Sequence, residues 1–243
     1  MILKKDYEAK YHSLEETNWW FVARRDLIAD YLDSFDRGMS ILDVGCSGGL
    51  LIERLRSMGF SDVAGIDISQ AAVTRARKRG LLDVKVMDAS TLVFRKKFDI
   101  IIASDVLEHI KDDRKAISAW HRALKKGGTL ILLVPAFMHL WSTHDVANLH
   151  YRRYTLTQLA RITQKAGFRI IKSTYWNFLL FFPLTAKVAV MRILGRKRQG
   201  TDHLKGMGKT ANSILAKLLK IENKLLRRLS FPVGVSVFLV AVK

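Results

Sequence analysis

The stretch SILDVGCSGG, residues 40–49, runs apolar to Asp43 and then breaks into Gly45, Cys46, Ser47, Gly48 and Gly49. Leu50, Leu51, Ile52 and Leu55 follow at helical spacing. The pattern predicts a strand, a tight turn and a helix. Glycines at such a turn let the backbone take positive φ and come close to a ligand, and the helix start beyond it offers unpaired amide hydrogens. A nucleotide-like ligand fits that description. So does a purely structural turn, because glycine turns join strand to helix in many α/β domains.

Outward from this turn, strand and helix patterns alternate. Strands are expected at 40–44, 63–67, 84–88, 98–103 and 129–134, and helices at 49–58, 70–79, 112–125 and 155–166. This alternation predicts an α/β fold with a parallel sheet covered on both faces. Each strand ends near a polar residue: Asp43, Asp67, Asp88, then Ser104 with Asp105. Ligands of open parallel sheets bind beyond the carboxyl ends of the strands, so these acids converge on one crevice. Asp67 stands near the roughly 20-residue spacing at which an acid accepts hydrogen bonds from ribose hydroxyls. Its bland alternative is a helix cap, a role Ser69 can also fill. Asp88 reads as a turn residue or as a contact to an adenine amino group.

Nicotinamide enzymes carry GxGxxG, and this turn has no glycine at the middle position, which disfavours a dehydrogenase. With GCSGG, Asp67, DAS at 88–90, SDVLEHI at 104–110 and KKGGTLILLVP at 125–135, the chain resembles class I S-adenosylmethionine-dependent methyltransferases of the small-molecule type. The likeness spans about 40–170. It implies a Rossmann-like seven-stranded, mostly parallel sheet with an antiparallel last strand. The β-branched run VGVSVFLVAV at 233–242 is similar to that strand, and 168–175 to the sixth. It also implies S-adenosylmethionine as cofactor, held by Asp43, Gly45, Cys46, Ser47, Gly49, Asp67, Ile68, Asp88, Ala89, Ser104 and Asp105. Ser47 stands where the family has glycine.

At 243 residues the chain reads as a single domain: a helical cap at 1–38, a cofactor-binding core at 39–175, an insertion at 176–231 and a last strand at 232–243. The lone cysteine excludes a disulfide framework or a thiolate zinc site and suits a reducing, cytoplasmic interior. The start lacks the apolar core of a signal peptide. A formal charge of +19 points to a polyanionic partner, an anionic membrane surface or nucleic acid.

In the cap, Tyr7, Tyr11, Leu14, Trp19, Trp20, Phe21, Leu27, Ile28, Tyr31, Leu32 and Phe35 are spaced for two helices. Trp20 and Arg24 either pack there or line an acceptor entrance. After the fifth strand, residues 136–155 hold His139, His144, His150, Asp145, Arg152 and Arg153 among aromatics. His144, Asp145 and His150 are the candidate general bases. Arg152 and Arg153 offer a fork for a phosphate or carboxylate, with Trp141 and Tyr154 as neighbours, or pair with surface acids. His109 reads as structural, and no metal site is expected, because His139, His144 and His150 lack ligand spacing.

In the insertion, WNFLLFFPLTA at 176–186 is too interrupted to span a bilayer. Ile214, Leu218, Ile221, Leu225 and Leu229 form one helical stripe, and Lys217, Lys220, Lys224 and Arg227 another. A basic amphipathic helix beside an aromatic segment reads as an anchor on the inner face of a membrane; a stripe packed on the sheet is the alternative. Gly195–Gly208 is the expected flexible part. The expected function is methyl transfer to an oxygen of a small or lipid-linked acceptor, such as a glycan intermediate. Alternatives are a quinone-type prenylated aromatic acceptor, suggested by likeness of the paired tryptophans, RNA, and a non-catalytic binding module.

Overall fold

The computed structural model describes residues 12–194 and 208–243. Tyr7, Tyr11 and the expected flexible stretch up to residue 207 lie outside the described residues.

Strands follow from the alternation of large apolar residues. In β1 (Ile41–Val44), Leu42 and Val44 face one layer and Ile41 the other. In β4 (Phe98–Ser104), Ile101 and Ala103 oppose Ile100 and Ile102. β5 (Leu124–Pro135) divides Leu130, Leu132 and Val134 from Ile131 and Leu133 in the same way. Both faces are buried, so these segments read in sequence as near-continuous apolar runs.

With β2 (Val63–Asp67), β3 (Val84–Val86), β6 (Arg169–Trp176) and β7 (Ser236–Val242), the strands form one seven-stranded sheet in the order β3-β2-β1-β4-β5-β7-β6. β7 runs antiparallel to both neighbours, with Leu239 opposite Leu132 on one side and Ser173 on the other. The expected Rossmann-like sheet with its antiparallel last strand is the one formed. β3 stops two residues short of expectation because Asp88 closes a turn, accepting from Ser90 N at 2.7 Å. β5 begins earlier than expected, at Leu124, which pairs with Phe98 before a register shift.

The helices are α1 (Trp19–Leu32), α2 (Leu50–Ser57), α3 (Gln70–Lys78), α4 (Asp113–Ala123), α5 (Thr143–Ala147), α6 (Leu156–Lys165), α7 (Phe178–Ile193) and α8 (Lys209–Leu226). Leu27 of α1, Ile52 of α2, Val73 of α3 and Leu219 of α8 share one core layer, while Ile117 of α4 and Leu159 of α6 share the other. Asn18 caps α1 by accepting from Trp20 N at 3.0 Å.

Polar groups pin α8 to the body. Asn223 accepts from Trp176 Nε1 at 2.8 Å and donates to Ala23 O at 2.9 Å. Buried Glu222 accepts from Phe178 N at 3.0 Å and so caps α7. Leu219 and Leu226 face inward, whereas Ile214, Ile221, Leu225 and Leu229 of the expected stripe are exposed. On α7, Leu179, Phe182, Val190 and Ile193 are exposed as well, and Pro183 lies within the helix. No described helix is long and apolar enough to cross a membrane.

Candidate functional site

The carboxyl ends of β1, β2 and β4 open onto a cavity of about 510 Å³. Of the residues expected to hold a cofactor, Gly45, Ser47, Asp67, Ile68, Asp88, Ala89, Ser104 and Asp105 line it. Asp43, Cys46 and Gly49 are not on its wall; they shape it from behind. Gly49 sits at φ +84° as the cap of α2, where a Cβ would collide with Leu81. Gly45 sits at φ +73°, and a Cβ there would overlap Val106 on the cavity wall. Both positions therefore require glycine. Burial pushes the Cys46 thiol up, so it is not a ready thiolate.

Ser47 adopts the left-handed conformation, at φ +48°, that glycine would take there. Its hydroxyl donates to Glu15 Oε2 at 2.9 Å and lies 3.1 Å from His12 Nδ1. A helical turn at 12–15 is thereby fastened over the glycine turn, and His12 and Glu15 join the cavity wall. No sequence signal marked either residue.

Asp67 accepts from Ser47 N at 2.9 Å and Ser69 N at 2.8 Å. Burial nevertheless pushes its carboxyl up against those bonds. Ser69 does cap α3, through Ala72 N at 3.2 Å, so Asp67 is not needed for that task. Asp43 is nearly enclosed, and burial pushes it up to about 8, with Arg24 opposing and Asp67 and Glu15 adding to the rise. Arg24 reaches from α1 to Asp105 and lines the cavity itself. Ser104 Oγ is buried with no hydrogen-bond partner. Backbone cradle, acid at the end of β2 and unspent polar atoms together fit a cationic, ribose-bearing cofactor.

The loop after β5 is built around Asp145. Its carboxylate accepts from Ser142 N at 2.7 Å, from Arg153 Nε at 2.7 Å and Arg153 Nη2 at 3.0 Å, and pairs with His150 Nδ1 at 2.9 Å. Burial works to raise it, but the bonds from His150 and Arg153 outweigh burial and hold it well below the usual carboxylate range. Of the two roles expected for Arg152 and Arg153, a clamp or pairing with acids, this geometry shows acid pairs. Arg153 spends its fork on Asp145, and Arg152 pairs with Asp113 at 2.8 Å and donates to Lys111 O at 2.6 Å.

Tyr154 is buried and donates to Asp113 Oδ2 at 3.0 Å. Trp20 packs on Trp176 with ring centroids 5.0 Å apart, as a core residue would. Trp141 follows the turn at Met138–Leu140, and neither it nor Trp20 is on the cavity wall. His144 leans on Asn148. His109, set aside in sequence as structural, lines the cavity, and its ring meets that of His150 edge-on at 4.5 Å. Burial, then the neighbouring His150, lowers it to about 4, so it is neutral at pH 7.

A family profile described as a methyltransferase domain matches residues 19–173. The ubiquinone biosynthesis O-methyltransferase of Alkalilimnicola ehrlichii is 37% identical over 115 residues, 44% of this chain and 46% of that protein. The enzyme of the same name from Idiomarina loihiensis is 30% identical over 171 residues, 60% of this chain and 67% of that protein. The chain thus spans about half the length of the first of these and two thirds of the second. Phosphoethanolamine N-methyltransferase 2 of Haemonchus contortus, solved with S-adenosyl-L-methionine, superposes with a TM-score of 0.60 at 23% identity, covering 90% of this chain and 52% of that one. That likeness is one of fold. With the sheet order, the glycine cradle and the acids at the strand ends, the profile match shows that the chain belongs to the class I S-adenosylmethionine-dependent methyltransferase family.

Proposed function

We propose that the chain transfers a methyl group from S-adenosylmethionine to a hydroxyl oxygen of a small aromatic acceptor with a long apolar tail, at an anionic membrane surface. S-adenosylmethionine supplies a methyl on a positively charged sulfur, an electrophile that needs no further activation. The protein's task is then to align the acceptor, exclude water and provide for the hydroxyl proton. Gly45, Asp67 and Asp88 would hold the cofactor, and Asp145 keeps the His150 ring oriented beside the His109 end of the cavity.

The observation that carries the membrane part is the outward face of α8. Ile214, Ile221, Leu225 and Leu229 are exposed together, and Lys217, Lys220, Lys224 and Arg228 are exposed on the same helix and just beyond it. Apolar side chains rimmed by cations match an anionic lipid surface. For the acceptor, the relatives named for ubiquinone biosynthesis favour the aromatic reading over the glycan expected first.

The test is methyl-labelled cofactor offered with a prenylated catechol, a lipid-linked sugar or bulk RNA, alongside flotation with anionic and neutral vesicles. Label in the catechol and flotation with anionic vesicles alone are expected. Label only in sugar or RNA would overturn the acceptor, and no flotation with either vesicle would overturn the surface.

A further inference from the structure

Glu108 is fully buried, and neither of its carboxylate oxygens has a hydrogen-bond partner. Burial raises its carboxyl well above the ordinary value, so it is held neutral by a proton unless something absent from the polypeptide completes it. Around it stand two imidazoles. His150 Nδ1 is engaged by Asp145 at 2.9 Å, which turns Nε2 inward to 4.0 Å from Glu108 Oε1. The His109 ring is hydrogen-bonded to the Asn148 backbone and meets His150 edge-on. Each imidazole therefore has one nitrogen committed to an outer acceptor and the other free, the arrangement in which histidines bind metals. One ligand atom from each of Glu108, His109 and His150 lies within 4.8 Å of the others.

We infer that Glu108, His109 and His150 form a divalent-cation site at the wall of the cofactor cavity. Two imidazoles and one carboxylate are the ligand set of open zinc sites and of two-histidine, one-carboxylate iron sites, so zinc or another first-row ion fits better than magnesium. A tetrahedral ion about 2.1 Å from its ligands places them roughly 3.4 Å apart, so side chains now spanning up to 4.8 Å would close around it. Of the three, His109 lines the cavity. The role there rests on the methyl-transfer reading: an acceptor hydroxyl bound to the ion would lose its proton to solvent more readily. Metal binding itself does not rest on that reading, and the chain is tested for it without cofactor or acceptor.

Metal-free protein is titrated with zinc and with cobalt, by calorimetry and by the visible absorption of cobalt. One equivalent of each is expected to bind, with cobalt bands of a nitrogen- and oxygen-ligated site. Glu108→Gln, which keeps the shape of the side chain, and His109→Gln should each weaken binding at least tenfold, while His121→Gln, remote from the site, should not. Circular dichroism separates loss of the site from loss of the fold. No stoichiometric binding by folded protein, or equal binding by all variants, would overturn the site. Binding without methyl transfer would leave the site standing and count against the proposed reaction alone.

Discussion

Replacing Asp43 by Asn should remove the part of the pH dependence of stability that this buried carboxyl contributes. Asp43 lies beneath the glycine turn, only 3% exposed, where burial raises its carboxyl from the ordinary 3.8 to about 8. A carboxyl raised in the folded state binds its proton there while the unfolded chain has already released it. Its contribution is therefore fully present below about pH 4 and falls away as the pH rises toward 8. At about 1.4 kcal/mol per pH unit, the whole window is worth on the order of 6 kcal/mol, and the span from pH 5 to 7 about 3 kcal/mol. Asn is a neutral isostere that cannot ionise.

Urea unfolding of cofactor-free wild type and Asp43→Asn at pH 5, 6, 7 and 8 reads this directly. The variant should gain on wild type with each step, since every other titrating group is common to both. Infrared spectra at pH 6 should show a protonated-carboxyl band that is weaker in Asp43→Asn than in wild type, with buried Glu108 contributing to both. Parallel stability curves would refute the reasoning and would mean that Asp43 is ionised against Arg24 despite its burial.

Further substitutions probe other parts of the site. Gly45→Ala should cost about 2–4 kcal/mol in stability, from positive φ plus overlap with Val106, and a Gly45→Ala/Val106→Ala double variant should recover part of it; additive losses would deny the overlap. Ser47→Gly removes the hydroxyl that holds Glu15 and His12, so amide exchange at 12–17 should quicken while the global melting temperature changes little. Asp145→Asn should cost about 3–5 kcal/mol at pH 7 by stranding Arg153 and His150. Because Asp145 is held below its ordinary range, that deficit should shrink as the pH falls through and below that range, and a deficit constant down to pH 3 would contradict the assignment. Ile221→Asp with Leu225→Asp should abolish flotation with anionic vesicles and leave thermal stability unchanged, because both side chains face outward.

The sheet was legible because its rules are local: apolar alternation names the strands, and a polar residue after each names the end where a ligand binds. The site was legible where one side chain does one thing. It was not legible where a contact made only in the fold decides. Arg153 read equally as a fork for a ligand or as a partner of surface acids, and it is the buried Asp145, which also accepts from Ser142 and pairs with His150, that takes Nε and Nη2. Glu15 and His12 had no motif at all, since their place over the cavity depends on Ser47 some 30 residues on.

The helix α8 shows the same limit in another form. Helical periodicity identifies an apolar stripe, but it does not say whether that stripe faces protein or solvent, and here the hydrophobic rule points the wrong way. The buried face combines Leu219 and Leu226 with the polar Glu222 and Asn223, while Ile214, Ile221, Leu225 and Leu229 stay outside. Burial of Glu222 and Asn223 is sustained by specific demands: two amides at the start of α7, the Trp176 indole and the Ala23 carbonyl. Those bonds lock the rotation of α8 about its own axis, since a turn in either direction would strand buried polar groups. The apolar stripe is therefore held outward by what lies on the opposite face, which leaves it free for the proposed contact with lipid.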